Sequence, residues 1–388
     1  MDGDGMMDVA EELAPGPLDG IRVLDFSMFL AGPYCSRLMA DLGAEIIKVE
    51  PPGGDFLRNA PPVRDGHSAY FGHMNCGKKS LALDLKDDQG REVIRRLVKN
   101  VDVVLENFRP GVMARLGLDY DSLAMLKPDL IFCSVSGYGQ TGPDAGKAAF
   151  APIIHAASGY DLIMMKYQGG GDRPPPTRST VADILGATHA FGAINAALVQ
   201  RLRTGRGQHI DVAMMDAMHN MLACEYQAVQ MENPDSPIVF SPIRTIDGFV
   251  MVAPVSAANF TGLAKAAGQP ELLEDERFAE PKARVRNWDL LLAEVERWSL
   301  TQSTDACEAA IMEMGCPCTR YLTLDQSMAT AQTAARGAAV PMDGMDDPYL
   351  VANCPAQFIG GDVGVRPWVA TLGQHNAEFY AEVGLDEG

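Results

Sequence analysis

Ile21-Arg-Val-Leu-Asp-Phe26, Ala31-Gly-Pro33 opening a run to Leu42, and Glu45-Ile-Ile-Lys-Val49 form the stretch that decides the fold. Its outer pieces are short apolar runs that read as buried strands. The middle piece reads as a helix, with Pro33 near its first turn, where a missing N–H does no harm.

Outward from this unit the alternation continues. Ser80–Asp84 reads as a strand. Asp88–Asn100 reads as a helix with Val93, Leu97 and Val98 on one face. Val101–Leu105 and Leu130–Ser134 read as buried strands, Gly186–Leu202 as a long Ala-rich helix, His209–Val212 as a strand and Met214–Met231 as a helix. Such alternation predicts an α/β fold, a Rossmann-like large domain around a mainly parallel sheet.

The pattern changes near Glu232. Phe249–Ala253 reads as a strand, Asn259–Ala267 and Trp288–Trp298 as helices, and Asn376–Val383 as a last helix. The expected organisation is a disordered leader over 1–17, a large domain over 18–232 and 335–388, a smaller α/β domain over 240–325, and linkers over 233–239 and 326–334.

Composition excludes several function classes. The charge of −19, from 32 basic and 51 acidic residues, opposes nucleic-acid binding without a local basic stripe, and the sequence shows none. No apolar run approaches the ~20 residues of a membrane span. The acidic, Gly- and Pro-rich start is unlike a signal peptide, so a cytoplasmic location is expected. The 8 cysteines then read as thiols rather than a disulfide framework. Cys316-Pro-Cys318 has no further ligand at metal spacing, and the 7 histidines show no such spacing either, so no metal is expected.

Two motifs compete for the chemistry. Gly137-Tyr-Gly139-Gln-Thr-Gly142 follows a strand, as a dinucleotide fingerprint should. Pro143 comes next, however, and no clean helix opens for a pyrophosphate, so the run reads as a Gly-rich active-site loop. Neither a Gly-x-Ser-x-Gly elbow nor a Walker loop is found. Asp183, in Thr180-Val-Ala-Asp183-Ile-Leu-Gly186 at the start of the Ala-rich helix, has a plain reading as an N-cap. It has a sharper one as a nucleophile toward a thioester, its charge favoured by the helix N-terminus.

Together these segments resemble the family III CoA-transferases, the group that includes formyl-CoA transferase and α-methylacyl-CoA racemase. The resemblance rests on Pro17–Phe26, Ala31-Gly-Pro33, Leu42–Glu50, Asn75–Asp84, Glu106–Gly111, Arg115–Gly117, Gly137–Pro143, Thr204–Gln208, Asp275–Phe278 and Leu372–His375. It covers essentially all of the chain beyond the leader. It implies the family III fold and an acyl-CoA:carboxylate CoA-transferase acting through an aspartyl acyl-anhydride and an aspartyl-CoA thioester. Asp183 matches the family's nucleophile. Phe29, Leu30 and Ala31 match the loop lining the thioester. Asn107, Phe108 and Arg115 fall in a segment that holds CoA, Gly137 and Gly139 in a loop near the oxyanions, and Lys78 and Lys79 are candidates for phosphate contacts. No permanent cofactor is implied, only a CoA thioester as substrate and a carboxylic acid acceptor, in an interlocked homodimer.

The chain departs from two branches of that family. The racemase branch places a His beside an Asp where this chain has Phe150 and Ala151, with His155 five residues on. A proton shuttle needs two acid–base groups, so transfer is favoured over racemisation. The formyl-CoA branch has a Gln at Leu30 and a Glu at Ala151, and apolar residues there suggest a larger or less polar acid than oxalate. The alternatives are a CoA-ester racemase and a CoA-binding protein in which Asp183 only caps its helix.

Overall fold

A computed structural model describes residues 14–232 and 238–386. The chain forms two compact units, Met1–Leu222 with Ala334–Gly388, and Ala223–Thr333.

The larger unit is built on a six-stranded sheet. Its strands are β1 (Arg22–Asp25), β2 (Glu45–Glu50), β3 (Lys78–Ala82), β4 (Val103–Glu106), β5 (Ile131–Ser136) and β6 (Gln208–Ala213). They lie in the order β3-β2-β1-β4-β5-β6, every pair parallel. This is a doubly wound sheet whose order reverses between β1 and β4. The α/β class with a mainly parallel sheet is therefore as expected.

Period-two side-chain geometry divides the strands between two cores. Val23, Ile46, Val103 and Ile131 point to one face, where helices α1 (Ala31–Asp41) and α5 (Val181–Thr204) cover them. Leu24, Ile47, Val104 and Phe132 point to the other, against α3 (Asp88–Leu97), which follows the short α2 (Ala69–Asn75), and Phe379 of the last helix, Asn376–Glu382. Burial on both faces explains why the strands read as unbroken apolar runs.

Several boundaries moved for tertiary reasons. β3 begins at Lys78 rather than Ser80, because Ile46 pairs with Lys78 and the lysine side chain turns inward to Asp25. α5 begins at Val181, five residues before the Ala-rich pattern becomes visible at Gly186. The expected helix Met214–Met231 is two helices, α6 (Met214–Met221) and Ala223–Ala228, and the division between units falls there. α5 has the length and hydropathy of a membrane span. Its Ala182, Ala187, Ala190, Ile194 and Ala197 nevertheless lie in the first core.

Within the smaller unit, Cys318–Arg320, Phe249–Val252 and Ile243–Arg244 form an antiparallel sheet in that order. Helices Ala257–Ala266, Trp288–Ser299 and Thr304–Glu313 pack around Phe260, Phe278, Trp288 and Cys307. This unit extends beyond the 240–325 read from composition. The expected linker 326–334 carries the helices Leu324–Met328 and Ala331–Ala335, and of the linker 233–239, residues 233–237 lie outside the described residues. The first thirteen residues of the expected leader lie outside them too. Ala14, within it, is tied down by backbone hydrogen bonds to Gly360 and Asp362. All 8 cysteines are free.

Candidate active site

Ligands in doubly wound sheets sit outside the carboxyl ends of the strands, where the order reverses. Here that crevice lies between the loops after β1 and β4. It opens on a cavity of about 220 Å³ lined by Phe29, Leu30, Ala31, Asn107, Phe108, Gly137, Phe150 and Asp183. Residues from five separate stretches of sequence thus meet around one carboxylate.

Asp183 stands in the first turn of α5. The N-cap is Thr180, which makes no side-chain capping bond, so the capping reading of Asp183 does not hold. Among the described residues no hydrogen bond or ion pair reaches its carboxylate. Burial alone raises its pKa to about 6. Desolvation therefore outweighs the helix N-terminus, which favours the charged form. The group is an anion at neutral pH with little solvation, which makes it nucleophilic.

The α5 start is held from outside. His155, fully buried on α4 (Ala151–Ala157), accepts the Ala182 N–H at its Nε2, 3.1 Å away. Its proton is then on Nδ1. Burial lowers its pKa and keeps it neutral. A ring committed to a backbone donor is not free to abstract a proton from substrate.

The Gly-rich loop is shaped by close approaches. A Cβ on Gly137 would fall 2.2 Å from the Ala149 Cβ, and Gly139 and Gly142 have φ of +85° and +93°. The Gln140 N–H donates to Asp211 at 2.9 Å, anchoring the loop to β6. No helix follows until Ala151, so the glycines serve turns, not a pyrophosphate.

Other expected site residues are placed differently. Asn107 lines the cavity, but its amide is engaged at both ends with the Met28 backbone, accepting its N–H at 2.9 Å and donating to its C=O at 2.8 Å. Phe108 donates its N–H to Glu106, a buried carboxyl pushed up to about 7 by desolvation. Arg115 is exposed on the short helix Val112–Leu116, and Gly139 is buried beside Asp211; neither lines the cavity.

Neither Lys78 nor Lys79 lines the cavity. Lys78 is 2% exposed and bound to Asp25, and Lys79 pairs with Glu45 and Glu378. Sequence reasoning missed Ser136, Arg109, Lys147 and Met214, all of which line the cavity. It also missed Tyr70, whose hydroxyl is raised by burial and by the charge of Asp183. Only Arg109 and Ser136 had a signal, lying within or beside the quoted motifs.

The chain is similar to known proteins along nearly its whole length. The chain is 34% identical to succinate–glutarate CoA-transferase of Agrobacterium fabrum, over 95% of this chain and 96% of the relative. It is 36% identical to succinyl-CoA–D-citramalate CoA-transferase of Chloroflexus aurantiacus, over 98% and 97%. The crystal structure of a CaiB/BaiF family protein from Brucella suis superposes with a TM-score of 0.81 at 34% identity, over 95% of this chain and all of the other. Residues 18–376 match the sequence model of CoA-transferase family III, and the chain belongs to that family.

Proposed function

We propose that this CoA-transferase moves CoA from a short acyl-CoA, such as succinyl-CoA, to a dicarboxylic acid, with Asp183 as the nucleophile. One observation carries the reading. Asp183 is a half-buried carboxylate without a counter-ion, facing the cavity at the strand-order reversal.

The steps balance without an external proton or electron. The Asp183 carboxylate attacks the thioester carbonyl, giving a mixed anhydride and CoA thiolate. The thiolate attacks the aspartyl carbonyl, giving an aspartyl-CoA thioester and releasing the first acid. The acceptor carboxylate attacks that thioester, forming a second anhydride and freeing the thiolate. The thiolate then takes the new acyl group and restores the Asp183 carboxylate.

Backbone N–H groups near Asp183 and Gly137 would receive the oxyanions. Phe29, Leu30 and Ala31 would border the thioester, with CoA running past Asn107 and Phe108 toward Arg115. The dicarboxylic acceptor is suggested by the two named relatives and by Arg109 at the cavity, a cation suited to a distal carboxylate. The same reading takes the protein as a cytoplasmic homodimer, tested by light scattering, where a monomer's mass would refute the dimer. Racemisation has less support, because His155 is committed to Ala182.

The test is trapping. The protein is incubated with succinyl-CoA and then hydroxylamine, and its peptides are weighed. A hydroxamate on Asp183 is expected. No adduct there, with full activity in Asp183→Asn, overturns the mechanism.

A further inference from the structure

Beneath the loop Ser27–Leu30 lies a buried charged network that the proposed transfer does not use. Asp25 ends β1 and is fully buried. Its Oδ1 accepts the Ser27 N–H at 2.9 Å and the Ser27 hydroxyl. Its Oδ2 accepts the Ser36 hydroxyl at 2.5 Å and the Lys78 ammonium at 3.1 Å. Lys78, on β3, donates also to the Pro33 carbonyl at 2.8 Å and to Asn75 at 2.9 Å, so all three of its N–H groups are spent. Lys48, on β2, donates to the Ser27 carbonyl at 2.8 Å and to Asp55 at 3.0 Å. Asn107, after β4, holds both backbone groups of Met28.

The backbone N–H and C=O of Ser27 and of Met28 are thereby fixed by three side chains, Asp25 of β1, Lys48 of β2 and Asn107 just after β4, while Lys78 of β3 holds Asp25 itself. The next residue is Phe29, with φ +64°, a conformation that a residue with a Cβ rarely adopts. Strain of this kind persists only where the surroundings over-determine it, and it clusters at functional sites. Phe29 lines the cavity with Asp183 and packs edge-on against Phe150, ring centroids 5.4 Å apart. Gly32 lets the loop lie close, since a Cβ there would fall 2.1 Å from that of Ser27.

A buried ion pair is a poor source of stability, because apolar residues of similar size often do as well. Its fixed geometry is what apolar packing does not supply. We propose that the buried Asp25–Lys78 pair is a positioning device for CoA transfer: with Lys48 and Asn107 it clamps Ser27 and Met28, forces Phe29 into its left-handed conformation, and so sets the wall of the cavity that faces Asp183. This rests on the reading of that cavity as the acyl site. Asp25 and Lys78 touch no reacting atom and act through Phe29.

The test is a double-mutant cycle on the full chain. Asp25→Asn/Lys78→Met removes both charges together, leaving none unpaired. Phe29→Gly removes the Cβ whose strain the clamp imposes. The charge-free pair is expected to lower kcat/KM on the order of 10-fold, as small displacements at reacting centres do. In the Phe29→Gly background the same change is expected to cost no more than about 3-fold, the two sites being coupled. An equal loss in both backgrounds, or no loss, overturns the proposal. If the charge-free pair does not fold, Ser27→Ala replaces it, keeping both charges and deleting one bond of the clamp. Its loss of kcat/KM should vanish in the Phe29→Gly background, and an equal loss in both overturns the proposal. Asp183→Asn is assayed alongside. An active Asp183→Asn protein removes the nucleophile reading, whereas an inactive one with equal losses around the cycle removes only the positioning role.

Discussion

Asp25 and Asp183 are both aspartates withdrawn from water in the same unit, and their surroundings send them opposite ways. Asp25 has donors from its own loop, from α1 and from β3, and although burial pushes its carboxyl up, Lys78 and Lys48 hold it below the ordinary 3.8. Asp183 has burial and nothing to offset it, and rises to about 6. One carboxylate is fully occupied and inert. The other keeps its lone pairs for a carbonyl carbon. The stability consequences also have opposite signs. The contribution of Asp25 is complete above its unfolded value and is lost as pH falls through its lowered folded value. That of Asp183 is complete below its unfolded value and is lost as pH rises through about 6.

The sharpest way to break this contrast is to neutralise each group. Asp183→Asn should lower kcat by at least about 10³-fold, the scale of losing a covalent nucleophile, with CoA binding retained. Steady-state kinetics and calorimetry of CoA binding check this. Asp25→Ala should act on the fold instead. It leaves Lys78 buried without its counter-ion, which costs about 3–5 kcal/mol, read from urea midpoints at constant m.

The contrast was only half legible in the sequence. Strands such as Ile21–Phe26 and Leu130–Ser134 showed because both sheet faces are buried, and Asp183 showed because it opens a long helix. Lys78 stood as a candidate for phosphate contact on the family resemblance alone, and local sequence does not show that its side chain is buried. What turns it inward is Asp25, more than fifty residues earlier in the chain. What supports the start of α5 was hidden for a similar reason. Val181 and Ala182 carry no cap of their own, and their support comes from His155 on another helix. Asn107, expected in a segment that holds CoA, lines the cavity, but local sequence does not show that Met28 already takes both ends of its amide. Long-range polar pairing defeats a local reading; apolar periodicity does not.

pH sharpens the comparison at a smaller scale. The nucleophile is the ionised form, so kcat/KM should be flat above about pH 6 and fall up to tenfold per unit below it, as the protonated fraction of Asp183 grows. The same shift predicts that Asp183→Asn is more stable than the wild type at pH 7, by about 1–2 kcal/mol, because a desolvated charge is removed. A lower urea midpoint for the variant would contradict this. His155→Leu comes next. It deprives the Ala182 N–H of its acceptor, an effect of about 1–2 kcal/mol. We expect kcat to fall on the order of tenfold, and His155→Gln to recover part of it by offering an oxygen to the same donor.

The smallest effect belongs to the neighbour of Lys78. Lys79 points to the opposite face of β3, half-exposed, and pairs with Glu45 and Glu378 at the surface. Exposed pairs of this kind are worth about 0–1 kcal/mol, because water and salt screen them and long side chains lose entropy in making them. Lys79→Ala should therefore shift stability by less than about 0.5 kcal/mol, a change that shrinks further at high salt. It should leave KM for acyl-CoA unchanged. A several-fold rise in that KM, lost at high ionic strength, would return Lys79 to the phosphates and show that its carboxylate partners give way when CoA arrives. Consecutive lysines in one motif would then differ in what they hold rather than in whether they matter to the site.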